Sequence, residues 1–312
     1  MKPHDRIAVI PKLGDYNKPL NRLIKQTLDC KVIDCPPITK HTVEIGAKHS
    51  PDTVCTPFKI LTGNFIESLE AGANTLIMPG FGCRLGFYDM LHKQILEHLG
   101  YQFEMVALCD YMATPTKIFN TLSSINTQLT REKFDEIFAD VCLEVANMDK
   151  TANLARRKVD TNQPSLKICI LGDLYTVIEP HANCNMEDWL KRHNVEIFRY
   201  TDLTYLALNL FDIPKLINQS GGYIDYNLGG NANCSIAQAY QMLKHDKVDG
   251  IIHVKAATCA PEISAMSVLQ TMSNDFQTPI MYLTFDTETS DAGLHTRLEA
   301  FLDMLSMATP NR

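Results

Sequence analysis

Three of the chain's ten cysteines stand where a helix is predicted to begin. Cys55, within Ser50–Lys59, comes just before the helical pattern Phe58–Ala71, and Pro57 suits a first helical turn. Cys83 lies in the segment Gly80–Tyr88, ahead of the pattern Phe87–Leu99, and Cys259 precedes Ala260, Pro261 and Glu262, where a proline again opens a helix. Unpaired backbone N–H groups at a helix start stabilise a thiolate and donate hydrogen bonds to a negatively charged group. Iron–sulfur ligation needs such a setting. A free cysteine is also commonly a small buried hydrophobe, and position alone leaves the two roles equally open for each of the three.

For most of the others, packing is the expectation. Cys30, Cys109 and Cys169 fall in or beside strand cores, and Cys142 is read onto the apolar face of a helix. Cys35 precedes Pro36 and Pro37 and is ambiguous. Cys184 and Cys234 sit in loops of the second half and are held as reserve ligands. The absence of any Cys-x-x-Cys argues against a zinc ribbon, a thioredoxin-like site or a ferredoxin-type ligand run, so a cluster here is assembled from distant segments.

Other polar features invite plainer readings. Gly221-Gly222 and Gly229-Gly230 match no nucleotide-phosphate motif and read as loop. The run Asp286–Asp291 reads as a turn and helix cap. His181 and His253 are acid–base candidates with no visible partner.

The elements that must position these residues follow from apolar runs separated by amphipathic stretches. The runs are Arg6–Ile10, Lys31–Ile33, Thr75–Met78, Phe103–Leu108, Lys167–Leu171, Glu196–Tyr200, Gly250–Val254 and Pro279–Leu283. Little polar alternation implies parallel strands covered on both faces, hence a doubly wound α/β fold. A polar stretch from Leu129 to Lys158 carries apolar residues at helical spacing (Phe134, Ile137, Phe138, Val141, Cys142 and Val145). Asp160–Pro164 has linker composition, which puts domains at residues 1–160, with Cys55 and Cys83, and 161–312, with Cys259. Ligands of open α/β sheets sit beyond the carboxyl ends of the strands, so a cleft between the domains is the expected site.

At 312 residues and 45% hydrophobic content the chain has material for two cores. A net charge of -7 without basic–aromatic clusters makes nucleic acid a poor partner. No run has signal-peptide character or the roughly 18 apolar residues of a membrane span, so a cytoplasmic location is expected. Ten cysteines in a reducing compartment favour metal or redox chemistry over disulfides.

Several segments resemble one family. They are Val54–Gly63, Gly82–Tyr88, Gly172–Pro180, Cys259–Glu262 and Asp286–Phe301, spread in consistent order over about residues 6 to 305. The family is the 2-hydroxyacyl-CoA dehydratase D-component family, notably its small stand-alone, CoA-enzyme-activase-related branch, and it is also akin to double-cubane cluster proteins. The resemblance implies two Rossmann-like domains with a cluster-binding cleft between them, and Cys55, Cys83 and Cys259 as ligands of a 4Fe-4S or double-cubane cluster. Three thiolates would leave one iron of a cube open, and Cys184 or Cys234 could close it. The resemblance further implies an actin-like ATPase activator that delivers a low-potential electron, an acyl-CoA or small-molecule substrate, and a homodimer or related subunit. A non-catalytic cluster carrier or assembly partner of such an ATPase is the alternative. Lys255, Ala256 and Ala257 stand where family members commonly show a Pro-Phe pair, and no basic cluster marks a CoA site.

Overall fold

The computed structural model describes residues 5–80, 87–108, 114–163, 165–210, 212–246 and 248–308. The chain forms two compact units, Met1–Asn147 and Met148–Arg312. The first runs β1 (Ile7–Val9), α1 (Asn17–Leu28), β2 (Lys31–Val32), α2 (Lys40–His49), α3 (Thr56–Glu70), β3 (Thr75–Met78), α4 (Tyr88–His98), β4 (Glu104–Ala107) and α5 (Pro115–Ile125). Helix α6 (Arg131–Arg157) contains the point of division. The second unit continues with β5 (Lys167–Gly172), α7 (Leu174–Ile178), α8 (Met186–Arg192), β6 (Glu196–Phe198), α9 (Leu203–Asn209) and α10 (Ile213–Gln219). It ends with α11 (Ala232–Gln241), β7 (Gly250–Ala256), α12 (Ala260–Phe276), β8 (Ile280–Phe285) and α13 (Asp291–Ala308).

Each unit holds a four-stranded, all-parallel sheet, ordered β2-β1-β3-β4 and β6-β5-β7-β8. This is the doubly wound α/β class that the apolar runs imply, present twice, and each of the eight predicted runs contains or overlaps a strand. In both sheets the chain order reverses between the first and third strands, β1 and β3 or β5 and β7. Open sheets of this kind bind ligands at such a switch point, beyond the carboxyl ends of the strands.

Helix α3 is apolar or small on nearly every side and buried accordingly, including Phe58, Ile60, Leu61, Phe65 and Ile66. Its polar residues have partners: Asn64 accepts from the Lys12 amide at 2.8 Å and donates to the Pro36 carbonyl at 2.9 Å. These bonds tie α3 to the loops that leave β1 and β2. Helix α2 lies backbone to backbone on α3. A Cβ at Gly46 would sit 1.9 Å from the Lys59 carbonyl oxygen, and one at Gly63 would sit 1.9 Å from that of Thr42. Both glycines are therefore required by the approach, and the turn between the two helices carries Cys55.

In the second unit Ile168, Ile170, Ile252 and Val254 pack one sheet face against α8 and α13, while Cys169, Leu171 and Ile251 pack the other against α11 and α12. Period-2 alternation along buried strands divides the residues this way. Trp189, the one tryptophan, stacks on His193 at 3.7 Å and lies 5.5 Å from His295. Cys30 and Cys169 are buried, as their strand positions imply. Cys142 is exposed, contrary to the sequence reading. The buried stripe of α6 runs through Phe134, Ile137, Val141 and Val145, and one residue past Val141 is about 100° further round the helix.

Candidate functional site

In the first unit Cys55 is the N-cap of α3, with extended backbone (φ -70°, ψ 158°) and a proline in the first turn. Its side chain makes no capping hydrogen bond and is partly exposed. The sulfur lies 2.7 Å from Tyr88 Oη, at the first residue of α4. Behind this pair the rings stack inward: Phe58 meets Tyr88 edge-on at 5.2 Å and lies flat on His92 at 3.8 Å. His92 Nδ1 pairs with Thr62 Oγ1 at 3.1 Å, and Thr62 accepts from Ser50 Oγ at 3.0 Å. Burial drives the His92 pKa down to about 3, so the ring is neutral. Cys83, expected beside Cys55, lies outside the described residues, as does Cys109.

In the second unit Cys259 is the N-cap of the 17-residue helix α12, again extended, partly exposed and followed by a proline. The turn is anchored from both ends. On the strand side, the Cys259 amide donates to the Ala256 carbonyl at 3.1 Å, and the Ala256 amide donates to Asp173 Oδ2 at 2.7 Å. On the helix side, Glu262 in the first turn is fully buried, its Oε2 2.8 Å from His253 Nε2 and its Oε1 accepting from Ser235 at 3.2 Å. Asp173 caps α7 through the Thr176 amide. Burial, reinforced by the Glu262 charge, raises the Asp173 pKa to about 6, against the pull of its hydrogen bonds to Thr176 and Ala256.

Lys255 is 6% exposed, and burial lowers its pKa against the opposing charges of Cys259, Asp173 and Glu262. The carboxylate oxygens of Asp173 and Glu262 are engaged by other donors, and Lys255 forms an ion pair with neither. Lys255 thus lies within electrostatic reach of Cys259.

The reserve cysteines are placed differently. Cys234 is fully buried among Leu206, Leu216 and Ala237, and burial pushes its thiol up to about 12. Cys184 packs against the second unit's core; burial first, then a hydrogen bond to Asp291, pushes its thiol up to about 12. Both are protonated near neutral pH. Cys35 accepts from Asn17 Nδ2 at 3.6 Å. His181 is exposed, whereas His253 has in Glu262 the partner that was not visible in the sequence. Gly230 backs onto Pro261, where a Cβ would lie 3.2 Å from the proline ring. Asp286 folds its own turn by accepting from the Glu288 amide and Thr289 Oγ1, beside an open groove of 310 Å³ lined by Arg297, Glu288 and Ser290.

Sequence reasoning missed Tyr88, His92, Asp173 and Lys255 as members of these sites. The one available signal was position, since Asp173 follows β5 and Lys255 is the penultimate residue of β7, its neighbour at the switch point. Among the described residues no group of three or more His, Cys, Asp or Glu side chains is gathered for a metal ion. Taken unit by unit, Cys55 and Cys259 each present a partly exposed sulfur at the start of a long helix, one beside the Tyr88 phenol and the other within electrostatic reach of Lys255.

No known family profile matches the sequence. The chain is similar to Elongation factor 4 of Cytophaga hutchinsonii, at 23% identity over 185 residues. The matched part is 59% of this chain and 29% of that protein. No helix among the described residues is long and apolar enough to cross a membrane.

Proposed function

We propose that this chain is an iron–sulfur redox protein of the 2-hydroxyacyl-CoA dehydratase type. It receives a low-potential electron from an ATP-dependent activator of actin-like fold and uses or relays it at a 4Fe-4S or double-cubane cluster held by Cys55, Cys83 and Cys259. The observation that carries the reading is that Cys55 and Cys259, selected by motif, both turn out to be helix N-caps with proline in the first turn and a partly exposed sulfur. When bound, such a cluster supplies one-electron transfer at low potential.

The chain's own residues then have defined parts. Asp173 and Glu262 hold the two ends of the turn that carries Cys259, the first through the Ala256 amide and the second through His253. Lys255 balances negative charge there. The glycine contact between α2 and α3 holds the turn that carries Cys55. An acyl-CoA or small-molecule substrate and a homodimeric assembly belong to the same proposal.

The test is metal and acid-labile sulfide analysis with EPR on anaerobically isolated protein. The expected result is a brown, oxygen-sensitive protein with iron and sulfide in equal amounts, lost on Cys83→Ala. Colourless protein, zinc in place of iron, or unchanged iron after that substitution would overturn the reading.

A further inference from the structure

Resting on the iron–sulfur reading, we propose that Tyr88 is a positioning residue for Cys55: its phenol O–H donates to the Cys55 sulfur and thereby sets the potential of the group that the sulfur holds. The two atoms are 2.7 Å apart. Of the two, the phenol is the better donor and a thiolate is purely an acceptor.

The phenol is held in place through Phe58, which lies in the first turn of α3 just after Cys55. Phe58 meets the Tyr88 ring edge-on at 5.2 Å and 66°, and lies on His92 at 3.8 Å and 6°. His92 is on α4 with Tyr88, its ring 6.1 Å from the tyrosine ring, and is pinned to α3 by Thr62. Cys55 and Tyr88 are thus referenced to the same buried ring, and the phenol cannot swing from the sulfur without opening an aromatic contact. A hydrogen bond to a ligand sulfur stabilises the more negative, reduced state and so raises the reduction potential.

Tyr88→Phe removes the O–H and keeps the ring. Two measurements on the full chain decide the proposal. Anaerobic potentiometric EPR of wild type and Y88F should show equal cluster content with the variant's potential shifted lower. In iron-free protein, iodoacetamide labelling of Cys55, read by peptide mass spectrometry against Cys259, should slow by about twofold, because losing a hydrogen bond of about 1 kcal/mol cuts the thiolate fraction about fivefold while the more basic thiolate gains nucleophilicity. A role as mere steric cover, which the phenylalanine ring keeps, would leave Cys55 labelling unchanged. Unchanged potential, or labelling of Cys55 that is unchanged or faster, overturns the proposal. Should wild type hold no iron and sulfide, the broader reading fails, and the labelling experiment still decides whether Tyr88 donates to Cys55.

Discussion

His253 Nε2 and Glu262 Oε2 lie 2.8 Å apart, with both side chains wholly out of contact with solvent. The bond ties strand β7 to the first turn of α12, so the turn bearing Cys259 hangs on a buried polar contact. Removing one member leaves the other without its partner in a low-dielectric interior, which is costlier than never having buried the pair. Glu262→Leu should therefore destabilise the second unit by about 3 kcal/mol. A urea denaturation midpoint equal to wild type would refute this.

Gly63 admits no side chain, because a Cβ would overlap the Thr42 carbonyl. Ordinarily a glycine-to-alanine change inside a helix is favourable by up to about 1 kcal/mol. Here the overlap reverses the sign, and Gly63→Ala should cost about 2 kcal/mol or more. Gly72, with nothing within 4 Å of its Cβ position but a φ of +97°, supplies a contrasting backbone control. Thermal unfolding by circular dichroism checks both, and a Gly63→Ala variant as stable as wild type would show that α2 and α3 do not approach so closely.

Acid dependence should divide between two groups of opposite sign. His92 has its folded-state pKa lowered from 6.5 to about 3, so the unfolded chain binds its proton first. Stability attributable to it is present above pH 6.5 and falls as pH drops toward 3. Asp173 has its folded-state pKa raised from 3.8 to about 6, so its relative contribution is present below pH 3.8 and is lost as pH rises through 6. The two largely offset each other in wild type between pH 4 and 6. His92→Phe should expose the Asp173 behaviour, with the variant gaining stability relative to wild type as the medium is acidified. Denaturation midpoints at pH 7 and pH 4.5 measure the difference, and a pH-independent difference would count against a neutral buried His92.

Cysteine substitutions should sort by environment. Cys55→Ala and Cys259→Ala are expected to abolish iron retention. Exposed Cys142→Ala is expected to leave both iron and stability unchanged. Cys184→Ala and Cys234→Ala, whose thiols are pushed up to about 12, should leave iron content intact. Anaerobic iron analysis of the five variants would contradict this ordering if either of the last two lost its iron.

The fold was legible in the sequence because buried parallel strands are short apolar runs bounded by polar segments, and Thr75–Met78 and Gly250–Ala256 are buried at every position. Cys55 and Cys259 were legible as helix starts because proline marks a first turn. Their surroundings were not. Asp173 reaches the Ala256 amide across 83 residues of chain, and Tyr88 reaches Cys55 across 33. Such pairings arise from strand order and helix packing, which no local pattern encodes. Gly63 gave a faint signal, as a glycine inside the otherwise regular helical pattern Phe58–Ala71. Cys142 was misread by one position in helical phase, enough to move it from core to surface.

Trp189 gives the second unit an optical address of its own. Intrinsic emission excited at the red edge of absorption arises from that one indole, which stacks with two imidazoles. The first unit is silent at that wavelength, while backbone ellipticity records both. Denaturation traces from the two signals will superimpose only if the two sheets melt as one cooperative body, so a single sample in one cuvette reveals whether this chain is one folding unit or two.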